Sequence, residues 1–128
     1  AGCQYTASDG EVKFSRYFPT GTTTQGSGDV TAYIYDDPSI VYAIQSAGSA
    51  DFADIGQLAD HVAGTGDTST GQSKFEISGT TGTGTAGMRI LGLYETPKNA
   101  YGTNGILEAT IHEHELNQHI DADGTVGV

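Results

Sequence analysis

Short runs in which apolar residues recur at every second position, each closed by a cluster of Gly, Thr, Ser or Asp, take up almost the whole of this chain. A period of two sends alternate side chains to opposite faces of an extended strand, whereas a helix repeats every 3.6 residues. The pattern is clearest over Ile106–Glu115. There Ile106, Glu108, Thr110, His112 and His114 share one face, and Leu107, Ala109, Ile111, Glu113 and Glu115 share the other. Val30–Tyr35 alternates likewise, and Met88–Tyr94 is the strongest apolar run, expected to be the central strand. A first strand pair is expected at Ala1–Thr6 and Glu11–Tyr17, joined by Ala7-Ser8-Asp9-Gly10, because Gly accepts the positive φ of a tight hairpin. In its second strand Val12, Phe14 and Arg16 form a mostly apolar face. Asp36-Asp37-Pro38 ends the Val30 strand, since Pro has no N–H and restricts the residue before it. Ile40–Gln45 and Lys74–Ser78 read as further strands. Helical spacing occurs once, over Asp51–Val62, where Phe52, Ile55, Leu58, Ala59 and Val62 fall on one side behind an Asp51 cap; Gly56 weakens it.

The expected fold is all-β: a single domain spanning residues 1–128, built as a jelly-roll-like β-sandwich or a small β-barrel, with one short helix near 51–62 and a C-terminal tail over 116–128. The core should be thin. Hydrophobic residues are 36%, Trp is absent, and 19 residues are Gly, which adds no packing volume and raises the entropic cost of folding. Part of the stability is therefore expected to come from neighbouring proteins, which would also cover exposed sheet edges.

The formal net charge is −11, with Lys13, Arg16, Lys74, Arg89 and Lys98 the only Lys or Arg residues. Such a chain repels nucleic-acid phosphates and anionic lipid, so neither is an expected partner. The charge suits solubility or a basic protein surface. Cys3 is the single cysteine, which excludes an intramolecular disulfide and fits a small buried apolar residue. No apolar run approaches a membrane span.

Few residue patterns here carry chemistry. His112, His114 and His119 form the sharpest constellation, since two His at i and i+2 on a strand can chelate one metal. The spacing is similar to the His-x-His of cupin metal sites. However, Gln118 and His119 stand where the acidic ligand belongs, so polar residues on a solvated or interface face are the preferred reading. Asp121-Ala122-Asp123-Gly124 is half a calcium loop without its closing Glu. Asp36, Asp37, Asp51, Asp54 and Asp60 read as turn and helix caps. No nucleophile elbow, phosphate loop or dinucleotide fingerprint occurs. No cofactor and no enzymatic activity are expected. Seven Tyr lie along or beside strands, and Tyr is favoured at interfaces. Tyr33, Tyr35 and Tyr42, with Leu116, Ile120, Val126 and Val128 of the tail, are the expected protein-contact residues.

Several segments, in order, resemble the decoration, cement or head-stabilising proteins of tailed bacteriophages. They are Ala1–Thr6 with Val12–Thr22, Val30–Pro38 leading into Val41–Gln45, Asp54–Gln57, Thr70–Ser73, Met88–Leu93, Thr96–Ala100, and the strand through Ile111–His114. The relatives carry sequence before the segment matching Ala1, so a short preceding segment is expected. The resemblance implies a protein made in the bacterial cytoplasm and bound to the outside of an icosahedral shell. There it would clamp neighbouring major capsid protein subunits, as a dimer or trimer of itself at local symmetry axes, and carry no catalytic residues. Two other classes stay open: a carbohydrate- or host-binding head fibre or knob domain, and a cupin-like metal-binding protein.

Overall fold

The computed structural model describes residues 2–26, 28 and 30–114, and, as paired backbone only, 119–120 and 126–127. The chain is all-β. Its strands are β1 (Gly2–Thr6), β2 (Val12–Ser15), β3 (Thr31–Tyr33), β4 (Val41–Gln45), β5 (Ser49–Ala50), β6 (Leu58–Ala59), β7 (His61–Val62), β8 (Glu76–Ile77), β9 (Met88–Leu93), β10 (Gly102–Thr103), β11 (Ile106–Ile111), β12 (His119–Ile120) and β13 (Val126–Gly127). Among the described residues no helix is long and apolar enough to cross a membrane. The chain divides into two compact units: Ala1–Asp36 with Thr65–Lys74, and Asp37–Gly64 with Phe75–Val128.

The first unit is built on an antiparallel sheet in the order β2-β1-β3. The β1–β2 hairpin closes as its residues dictate. Gly10 takes φ +86°, its N–H donates to Ala7 O at 2.9 Å, and Asp9 Oδ1 accepts from the Glu11 N–H at 3.0 Å. Alternation along β1 buries Cys3 and Tyr5, continued by Ala7, into a small cluster, and the Phe18 ring meets Tyr5 edge-on at 5.2 Å. The segment Thr65–Lys74 holds to the same unit through Tyr17, whose ring lies against Gly71 and whose hydroxyl donates to Ser69 O at 3.3 Å.

The second unit is built on an antiparallel sheet in the order β4-β11-β9-β6. Leu107 and Ala109 of β11 point to its core face, opposite Ile44 and Tyr42 of β4. On the other side the register shifts between Glu108 and Ala109, pairing Ala109 with Ile90 but Glu108 with Gly92. Leu91 is the extra residue, and it is exposed. This bulge brings Leu93 to the same face as Met88 and Ile90 despite its odd spacing. Ala50 of β5 and Ile77 of β8 cover that face and complete a cluster in which Ile77, Ile90 and Leu107 are essentially inaccessible to solvent.

The helix expected over 51–62 shortens to a single 3-10 turn, Phe52–Asp54, capped reciprocally by Asp51 and Asp54. Gly56 explains the stop. It adopts φ +83° and donates its N–H to Ile90 O at 2.8 Å, while the Ile90 N–H donates to Gln57 O at 3.0 Å. Pairing with β9 thus replaces helical bonds, and Leu58 and Ala59 enter the core from a strand.

Candidate functional site

In the first unit the two faces of the sheet differ sharply. Cys3 and Tyr5 lie on the buried face, together with their cross-strand partners Ser15 and Lys13. Period two then forces Val12 and Phe14 of β2 outward, with Tyr33 of β3 on the same side. Phe14 is 71% exposed, and Val12 and Tyr33 are exposed beside it. The rings of Phe14 and Tyr33 stack at 23° between their planes, and the Tyr33 hydroxyl donates to Gln4 Oε1 at 2.8 Å. With Gly2 and Arg16 they border a shallow recess of 290 Å³. After β3, Ile34 is 76% exposed and Tyr35 is exposed as well. Arg16 brings charge to this face, whereas Lys13 belongs to the opposite one. Lys13 pairs with Glu11 at 3.2 Å, and that hydrogen bond raises the lysine pKa above its ordinary value.

Of the expected contact residues, Tyr33 and Tyr35 are thus on the surface of this unit. Tyr42 belongs to the other unit, where it is half-buried against the core. Leu116 and Val128 lie outside the described residues, and for Ile120 and Val126 only the backbone pairing is described. Val12 and Phe14 read from the sequence as part of an apolar face but not as contact residues, because the alternation of β2 alone does not say which face is buried; Ile34, just past β3, was not read as a contact residue either.

The second unit carries a groove of 560 Å³ lined by Tyr42 and Ile44 of β4, Met88 of β9, Ile111 of β11, His61 of β7, and Phe75. The His61 and Phe75 rings meet edge-on at 6.5 Å. Its other walls are apolar, and convergent polar groups that would orient a small ligand are missing from this set.

β11 ends at Ile111, one residue short of His112, so the strand geometry that would align His112 with His114 stops before them. The His112 N–H donates to Gly87 O at 2.9 Å, and His114 is only 7% exposed. The side chain of His119 and the residues Asp121 to Gly124 lie outside the described residues. Among the described residues no group of three or more His, Cys, Asp or Glu is placed to hold a metal ion. The carboxylates have structural partners. Asp37 Oδ1 accepts from the Ser39 hydroxyl and backbone N–H, Asp67 Oδ1 from those of Ser69, and both pKa values are lowered by these bonds. Asp54 caps the 3-10 turn and accepts from the Thr81 hydroxyl at 2.8 Å. Cys3 is buried.

No family model, no curated protein and no solved structure matches this chain.

Proposed function

We propose that this chain is a non-catalytic structural protein that binds the outer surface of a tailed-phage head and clamps neighbouring major capsid protein subunits. One observation carries the reading. The first unit turns Val12, Phe14 and Tyr33 to solvent on one sheet face, with Ile34 and Tyr35 following in sequence, while among the described residues its buried cluster is Cys3, Tyr5 and Ala7. An exposed, stacked aromatic pair with further apolar residues at the surface suits a protein-contact site, and Tyr and Phe are residues that anchor such contacts. A net charge of −11 favours a basic partner surface and disfavours nucleic acid and anionic membranes. The ordered resemblance to head-decoration proteins supplies the kind of surface. Copies at local symmetry axes would each dock weakly, and the combined attachment would be strong through effective concentration.

Quantitative mass spectrometry of purified virions tests this. The expected result is a copy number comparable with that of the major shell protein, lost when Phe14 and Tyr33 are both replaced by Ser. A few copies confined to one vertex would make it a knob or fibre component instead. Absence from the virion would remove the reading altogether.

A further inference from the structure

Resting on the reading of the first unit's exposed sheet face as a docking surface, we propose that the recess over Gly2 seats a single carboxylate side chain of the partner protein, an Asp or Glu set among apolar residues, with Arg16 as its anchor. The recess follows from the register. Gly2 is paired with Tyr33 on one side, and on the other it lies one position beyond the Cys3–Ser15 pair, which sets it against Arg16. A Cβ on Gly2 would lie 2.8 Å from Ser15 O and 3.9 Å from the Arg16 Cα. The missing side chain therefore leaves a gap in the row Arg16–Gly2–Tyr33. Phe14, stacked on Tyr33, closes a further side, and the 290 Å³ enclosed has room for a partner side chain.

Charge singles out the occupant. The chain carries 16 Asp and Glu against five Lys and Arg. Yet the β1, β2 and β3 positions on this face, Gln4, Thr6, Val12, Phe14, Thr31 and Tyr33, include no carboxylate. Arg16 is exposed at the end of the face and forms no ion pair with another described residue, whereas Lys13, on the opposite face, pairs with Glu11. An acidic chain thus presents one unpaired guanidinium beside two aromatic rings and no anion. The planar fork of Arg donates two parallel N–H bonds to a carboxylate, a match that Lys does not offer. Closure of apolar residues around such a pair lowers the local dielectric and strengthens it. The net charge of −11 repels polyanions such as nucleic acid or an anionic membrane. A lone carboxylate on an otherwise basic protein surface meets no such barrier. The long-range field therefore selects the surface, and the recess selects the group at the centre of the contact.

Nuclear magnetic resonance titration of the isotope-labelled full chain with two capped peptides tests the recess directly. Acetyl-Leu-Glu-Leu-amide at millimolar concentration is expected to shift the amide signals of Gly2, Ser15 and Arg16. Acetyl-Leu-Gln-Leu-amide should shift them more weakly. Arg16→Gln should abolish the difference between the peptides, and Arg16→Lys should keep part of it. Lys13→Gln, on the opposite face, should leave it unchanged. Far-UV circular dichroism checks that each variant folds. Equal responses to the two peptides, or no response, would overturn the proposal. Co-sedimentation with undecorated heads keeps its failure distinct from that of the docking reading. Binding weakened about tenfold or more by Arg16→Gln supports both. Binding of the parent chain that Arg16→Gln leaves unchanged removes the carboxylate and keeps the docking face. Failure of the parent chain to bind heads removes the docking reading, and the peptide titration alone then decides the recess. Self-association abolished by Arg16→Gln would place the carboxylate on a second copy and overturn its assignment to the shell.

Discussion

The rings of Phe14 and Tyr33 stack with centroids 5.4 Å apart, although β1 runs between the strands that carry them. Gly2 makes this possible. It sits opposite Tyr33 in the register and offers no side chain, and a Cβ there would come within 2.8 Å of Ser15 O. Gln4, opposite Phe14, accepts the Tyr33 hydroxyl. The pair is therefore arranged by the sheet, yet most of its surface faces water. A stacked pair contributes about 0.5–1.5 kcal/mol beyond area burial.

The double change Phe14→Ser with Tyr33→Ser is accordingly expected to lower unfolding free energy by less than about 2 kcal/mol, because exposed positions contribute little to folding. Shell binding should weaken at least tenfold, about 1.4 kcal/mol. Thermal melts and a co-sedimentation assay with undecorated heads separate the two effects. Equal losses in both would make the face a folding element rather than a docking surface.

Gly71 supports a sharper stability prediction. It adopts φ +71°, and an added Cβ would overlap the Tyr17 ring. Gly71→Ala therefore combines left-handed strain with overpacking and should cost about 2–4 kcal/mol. At an unstrained site the same change would stabilise by reducing unfolded-state entropy. Adding Tyr17→Ala to Gly71→Ala should recover part of the loss, since it removes the overlap and leaves the strain. Urea denaturation of the single and double variants reads both terms.

These two sites show what the sequence makes legible and what it does not. Local signals worked. The Asp9-Gly10 hairpin, the shared face of Leu107 and Ala109 and the inner position of β9 all follow from neighbouring residues or strict alternation, whereas the strand expected over Val30–Tyr35 ends at Tyr33, ahead of Asp36 and Pro38. Decisions made by distant partners did not. Val12 and Phe14 read as an apolar face, but β1 decides which face is buried by turning Cys3 and Tyr5 inward, and Lys13 and Ser15 follow them. The helical spacing over Asp51–Val62 was real, yet Gly56 and the backbone of β9 break it. The groove was not legible, because its walls come from separate strands and meet only after the sheet has formed. Of the expected contact residues, Tyr33 and Tyr35 are exposed as read, while the Phe14 partner of Tyr33 depended on a side chain that Gly2 lacks.

Asn99 closes the long connection between β9 and β11 with three bonds to backbone. Its amide nitrogen donates to Tyr94 O at 2.7 Å and Ile106 O at 2.8 Å, and its oxygen accepts from the Ile106 N–H at 2.9 Å. Asn99→Ala should cost about 1–3 kcal/mol, below the sum of three separate bonds because they share one side chain. Asn99→Asp should cost at least as much at neutral pH, since a carboxylate keeps the acceptor but faces two carbonyl oxygens without a donor. Acidification should narrow the gap between the two variants by restoring one O–H. Denaturant midpoints at neutral and acidic pH check the order and the narrowing of the gap.

Asp37 and Asp67, one in each unit, predict how the chain responds to acid. Each carboxylate accepts from a serine hydroxyl and backbone N–H two residues ahead, which favours the charged form and lowers its pKa in the folded chain. The unfolded chain, with Asp near about 3.9, then binds protons more readily than the folded one. Stability from these turns is fully present above that value and is lost as pH falls through the depressed folded-state values. Both groups are exposed, so solvent screening keeps the effect small. Asp67→Ala should remove part of the acid-side slope of stability while lowering the plateau at neutral pH. Ser69→Ala should do the same more weakly, because the backbone N–H of Ser69 still bonds the carboxylate. Urea midpoints measured from pH 7 down to pH 2 would show the variants converging on the parent chain in acid. Parallel curves over the whole range would mean that Asp67 acts through shape and not through its charge.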